Sequence, residues 1–154
     1  MSIVLGNDET VTSKENFTTN LVLSWLKTDF SLTNKRLVGF SPNTLFGVFP
    51  LGKNEFSYPL KNVASVGVST KFHFKRFIIG LILVFMGLGA FDTSFFVGLV
   101  LLAVGALPLL NSYTSRMIVT NNAGQAADIE ISILEKDKVQ QFVNRVNMGI
   151  SDIA

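Results

Sequence analysis

The sequence contains no cysteine and only one histidine, His73. The first absence rules out a disulfide framework, a cysteine nucleophile and a thiolate metal site, and it fits a reducing compartment. The second leaves little for general-base chemistry. His73 lies between Phe72 and Phe74, and spacing puts no serine or carboxylate beside it, so it is expected to be a structural residue at an interface. Charge is sparse as well, at 16% of residues with a net of +2, and the basic residues form no long tract of the kind that grips nucleic acid. Zinc-ligand spacing, an acidic calcium loop and a phosphate-binding glycine loop are all missing. Catalytic residues, metal ligands and cofactors are therefore expected to be none. The opening MSIVLGNDETVTSKENF lacks the basic patch, apolar core and small-residue cleavage site of a secretory signal, so the N-terminus is expected to stay where it is made.

Apolar residues, by contrast, are concentrated in one block. Residues 77–110 read FIIGLILVFMGLGAF, then DTS, then FFVGLVLLAVGALPLL. The hydrophobic fraction of 48% is ordinary, and this block is what raises the mean hydropathy to +0.43. A buried strand needs about five or six residues and a core helix about a dozen, so the block is too long for either. Asp92, Thr93 and Ser94 divide it in two. Counting Asp92 to Ser94, or Asn111 and Ser112, as interfacial extends each run to about eighteen residues, the short end of what spans a bilayer. The expectation is a two-helix hairpin that crosses the membrane. A re-entrant pair that only dips into the bilayer and a helical hairpin buried in an oligomer are the alternatives.

Flanking charge orients such a hairpin. Lys71, Lys75 and Arg76 precede it, Arg116 follows it, and DTS carries no basic residue. The positive-inside bias predicts a two-pass protein of the inner or plasma membrane with both termini cytoplasmic. The same four residues form a candidate basic collar at the membrane interface, where each cation contributes about 1 kcal/mol toward an anionic surface. Plain topology signalling is the alternative. Lys35 and Arg36 are expected to be turn residues. Gly80 and Gly87 in the first run, and Gly98 and Gly105 in the second, are each seven apart and so share a helix face, a candidate helix-packing seam. Gly89, Ala90, Ala103 and Ala106 widen it. Whether the seam joins two helices of one chain or neighbouring chains stays open at this point. Pro108 marks a kink or a stop near the end of the second helix.

Outside the block the period is two. TNLVLSW, DFSLTN, KRLVGF, NEFSYPL and VASVGVSTKF predict five strands before it, with SPNTLFG and PLGKN as loops. SRMIVT and ADIEISI predict two more after it, joined at NNAGQ by a turn that needs positive φ. In the closing stretch Val139, Phe142, Val143 and Val146 recur at helical spacing. Ser132 and Glu135 have capping-box spacing, and Gly149 is the expected stop. This amphipathic helix is expected to cover one open end of a β-sheet.

Two segments carry a family likeness. SLTNKRLVGF resembles the strand, tight turn and strand of bacterial pleckstrin-homology-like (PH-like) domains, and YPLKNVASVGVS resembles a later segment of the same family. The resemblance covers residues 18–76 and 115–148. It implies a mainly β protein: a PH-like seven-stranded sheet or barrel with a C-terminal amphipathic helix. The two-helix membrane hairpin read from the apolar block departs from the family's pattern, because it is inserted between the fifth and sixth strands. Residues 1–76 and 113–154 would form the cytoplasmic PH-like domain and 77–112 the transmembrane insertion. The family likeness implies a binding or assembly module and no enzyme. The expected function is a membrane-anchored module forming a homo-oligomeric scaffold. A small oligomeric channel or transport subunit built from the hairpins is the alternative, against which the two runs offer no polar stripe. Expected partners are membrane lipids, with anionic head groups as candidates, further copies of the chain and an unidentified protein, with no nucleic acid.

Overall fold

Antiparallel ladders set the strands and a 3.6-residue period sets the last helix. A computed structural model describes residues 3–153. The order is β1 (Val11–Thr18), β2 (Lys27–Thr33), β3 (Arg36–Leu45), β4 (Phe49–Pro59), β5 (Val63–Phe72), α1 (Phe74–Ala90), α2 (Phe95–Leu110), β6 (Tyr113–Asn121), β7 (Ala126–Ser132) and α3 (Lys136–Ile153). Single 3-10 turns, Leu60–Asn62 and Ile133–Glu135, precede β5 and α3. The strands form two antiparallel sheets, β1-β2-β3-β4 and β5-β6-β7.

Both sheets and α3 supply one core. Phe30 and Leu32 of β2, Met117 and Val119 of β6, and Ile129 and Ile131 of β7 alternate inward. Val139, Phe142, Val143 and Val146 bring the apolar stripe of α3 over them. At the centre the ring of Phe142 lies 5.8 Å from that of Phe17 and 5.5 Å from that of Phe30, in the tilted geometries that suit aromatic quadrupoles.

The fold departs from the expected class. Helix accounts for 38% and strand for 41%, so the protein is mixed α/β and not mainly β, and its strands divide into sheets of four and three where a single seven-stranded sheet or barrel was expected. Several boundaries also move. TNLVLSW is not a strand, because Asn20 folds it into a turn by accepting from the backbone N–H groups of Val22 and Leu23. The first strand is instead Val11–Thr18, where burial alternates through Ser13, Glu15 and Phe17, but of these three only Phe17 is apolar. SPNTLFG and PLGKN are largely strand, the arms of a long β3–β4 ribbon that turns at Phe46 and Gly47. No capping box forms. Ser132 makes no cap hydrogen bond, and Glu135 reaches across to the Thr18 hydroxyl at 3.2 Å. The last helix runs through Gly149 to Ile153.

The membrane topology is corrected too. Among the described residues no helix is long and apolar enough to cross a membrane. α1 has 17 residues and α2 has 16, about 25 Å at 1.5 Å per residue, against a hydrocarbon core of about 30 Å. Lys75 and Arg76 occupy the first turn of α1 and shorten its apolar part further. The residues expected to extend the helices do not: Asp92 to Ser94 lie outside them, while Asn111 and Ser112 are buried at the root. The expected two-pass membrane protein is overturned, and with it the inner- or plasma-membrane placement and the cytoplasmic termini that followed from it.

Candidate functional site: the helical hairpin and its collar

β5 and β6 determine where the helices stand. Phe72 pairs with Tyr113 at the end of the β5–β6 ladder, so the chain leaves the sheet and returns to it at neighbouring positions. Between them α1 and α2 pack on each other along their length, with no comparable contact to the sheets.

The seam is made of glycine. A Cβ added at Gly80 would lie 2.8 Å from the Gly105 carbonyl oxygen, and one at Gly105 would lie 3.0 Å from that of Gly80. Gly87 and Gly98 meet in the same way, each 3.0 Å from the other's carbonyl oxygen. The four glycines therefore face one another within one chain, and side chains at these positions would meet backbone atoms that cannot swing aside. Gly89 faces open space and takes no part. Pro108 is buried within α2, and the helix continues past it to Leu110.

In this hairpin the only buried residues are those four glycines and Pro108. Every large apolar side chain keeps some exposure, up to 66% for Phe74 on α1 and 77% for Phe96 on α2. Exposed residues surround it: Ile82, Met86 and Leu88 on α1, and Val97, Leu99, Val100 and Val104 on α2. Helices that are apolar all round belong inside something larger than themselves.

A polar clamp fixes the root. The Asn111 side chain donates to the Leu107 carbonyl at 2.8 Å and accepts from the Leu21 N–H at 2.7 Å. Asn20 receives the Asn111 amide at 3.2 Å and donates to the Gly47 carbonyl, tying in the β3–β4 turn. Gly47 has φ +75°, and a Cβ there would crowd the Arg76 guanidinium at 3.0 Å, so glycine meets both demands. Arg76 donates to the Asn111 carbonyl and grips both carboxylate oxygens of Glu130. His73 touches the Thr114 hydroxyl at 3.0 Å and lies 3.7 Å from Glu130. Burial, and then the positive charge of Arg76, holds its pKa below the ordinary value.

The basic collar is thus divided. Arg76 pairs with Glu130, and Arg116 with Asp128 across the β6–β7 ladder, so both are engaged within the chain. Lys71 and Lys75 are exposed beside the exposed rings of Phe72 and Phe74, and neither joins an ion pair among the described residues. The turn cations Lys35 and Arg36 face elsewhere, holding the Asn7 carbonyl and the Glu9 carboxylate. The sequence does not show that Asn20, Gly47, Asn111 and Glu130 come together, which happens only in the folded chain. Gly47 alone gave a local signal, as a glycine in a turn-like segment. Neither a protein-family model, nor a curated protein, nor a solved structure matches this chain, and a functional reading therefore rests on the geometry of the hairpin and its root.

Proposed function

We propose that the chain is a non-enzymatic binding and assembly module, of the kind its PH-like resemblance implies, and that it forms a homo-oligomeric scaffold in which the helical hairpins of several copies pack together. One observation carries this reading: a hairpin about 25 Å long leaves its apolar side chains uncovered on every outward face while its glycines are spent on the internal seam. Neighbouring copies offer matching apolar surfaces and gain by burying them. The rigid root supports the same use, because a clamped hairpin presents its faces at a fixed angle and loses little freedom on docking. A channel or transport subunit is not favoured. Beyond Lys75 and Arg76, α1 and α2 carry no polar side chain to line a path.

A second reading has its own support. Lys71 and Lys75, which join no ion pair among the described residues and lie beside Phe72 and Phe74, suit contact between the collar and anionic lipid head groups. One experiment addresses both. Particle mass is followed over a hundredfold dilution, and sedimentation is then repeated with anionic and with neutral vesicles. An oligomer without vesicles supports assembly, and its weakening when Phe85 and Val100 on the outer faces of the hairpin are made polar assigns it to the hairpins. A monomer that sediments only with anionic vesicles, and is released by salt, supports the collar reading instead. A monomer that ignores vesicles removes both.

A further inference from the structure

Two sheets of four and three strands leave four edges, and the fold treats them unequally. On β5, the Asn147 side chain accepts from the Val66 N–H at 3.1 Å and donates to the Val66 carbonyl at 2.8 Å, standing in for a neighbouring strand. On β1, Lys138 of α3 donates to the Asn16 carbonyl at 2.8 Å. β7, seven residues long, lies alongside β1. β4 is different. It is the longest strand at 11 residues and the outer member of its sheet, and among the described residues no side chain or loop hydrogen-bonds to its backbone from Phe49 to Tyr58. Beyond the bulge at Leu51, a long edge whose backbone groups lack partners is a template for pairing.

We propose that β4 pairs antiparallel with β4 of a second copy, about a two-fold axis at Asn54. This adds an interface to the assembly reading and does not depend on the hairpins. The argument for register is charge. Lys53 and Glu55 are both exposed, share one face of the strand, and make no ion pair among the described residues. An axis at Asn54 sets each Lys53 opposite the partner copy's Glu55, giving two symmetric ion pairs. Moving the axis by one residue sets Lys53 opposite Lys53, or Glu55 opposite Glu55, which cross-strand geometry penalises. Proline sets the limits. Pro50 and Pro59 lack the N–H that a ladder needs, and the segment symmetric about Asn54, residues 51–57, lies between them. Antiparallel self-pairing about a two-fold axis is also the isologous contact that closes.

Charge reversal in the full chain tests this. Lys53→Glu and Glu55→Lys each set like charges opposite one another, and each is expected to weaken the β4 dimer by about tenfold, read from mass against concentration. The double variant K53E/E55K restores opposite charges and is expected to recover the wild-type association. Mixing the two single variants is expected to give a heterodimer that neither forms alone. Unchanged association in both single variants overturns the proposal, as does a double variant that fails to recover. The result is separable from the hairpin reading. If hairpin packing fails and β4 pairing holds, a dimer that responds to charge reversal remains. If β4 pairing fails, mass ignores these substitutions whatever the hairpins do.

Discussion

Replacing Gly80 by alanine adds one methyl group at the tightest point of the helical hairpin. The new Cβ would sit 2.7 Å from the Leu109 backbone nitrogen and 2.8 Å from the Gly105 carbonyl oxygen, so α1 and α2 must separate by about 0.6 Å to reach ordinary contact. Overpacking of this kind costs about 1–3 kcal/mol, while alanine regains up to about 1 kcal/mol of helix propensity over glycine. Gly89→Ala is the internal control. Nothing lies within 4 Å of its added Cβ, so only the propensity gain applies. The two variants should differ by about 1–3 kcal/mol with opposite tendencies. Because the helices pack mainly on each other and are tied to the sheets only at the root, this opening is local, and amide hydrogen exchange within α1 and α2 is the suitable assay. Exchange in Gly80→Ala should exceed that in Gly89→Ala by at least about fivefold. Equal or better protection in Gly80→Ala would refute the close-packed seam.

Two further perturbations address the sheets. Phe142→Ala removes the ring shared by Phe17 and Phe30 and should cost about 3–5 kcal/mol in urea unfolding; a loss under about 1 kcal/mol would displace Phe142 from the centre of the core. Acid should destabilise the fold through Glu9, whose pKa falls from 4.5 to about 2 because the Arg36 side chain, then the Gly6 N–H, bond its carboxylate. A pKa lowered on folding contributes stability that is present above pH 4.5 and lost as pH falls toward 2, so Glu9→Gln should flatten the stability profile across that window. The depressed pKa of His73 acts in the same direction below pH 6.5, and an unchanged acid slope in Glu9→Gln would show that the Glu9–Arg36 pair is not formed.

Legibility in the sequence followed the range of the forces involved. The C-terminal helix was legible because Val139, Phe142, Val143 and Val146 repeat at helical spacing, and the turn at NNAGQ because Gly124 adopts the φ of +80° that it needs. The glycine spacing pointed to a seam, and the structure supplies what spacing cannot, that Gly80 meets Gly105 and Gly87 meets Gly98. β1 is hidden in the sequence because its inward positions are Ser13, Glu15 and Phe17, so the alternation in burial has no counterpart in hydropathy. TNLVLSW reads as a strand because Leu21, Leu23 and Trp25 alternate, whereas the Asn20 side chain holds the backbone in a turn. The crossing length failed at the root. Asn111 and Ser112 count as interfacial by composition, yet hydrogen bonds to Leu107 and Leu109 bury them. Collar charge failed in the same way, since Glu130 and Asp128, far along the chain, hold Arg76 and Arg116.

Disulfide trapping between hairpins tests the assembly claim most directly, because the chain contains no cysteine of its own. Single cysteines are placed at exposed hairpin positions, Ile82, Phe85, Phe96 and Val100, and at Lys14 on the far-exposed edge strand β1 as the control. Helices packed against one another lie about 8–10 Å apart, within the reach of small side-chain movements that let two thiols meet. At least one hairpin position is expected to form covalent dimers under mild oxidation much faster than Lys14→Cys, with the rate unchanged on tenfold dilution. Oxidation at all four hairpin positions no faster than at Lys14 would contradict an assembly held together by the hairpins.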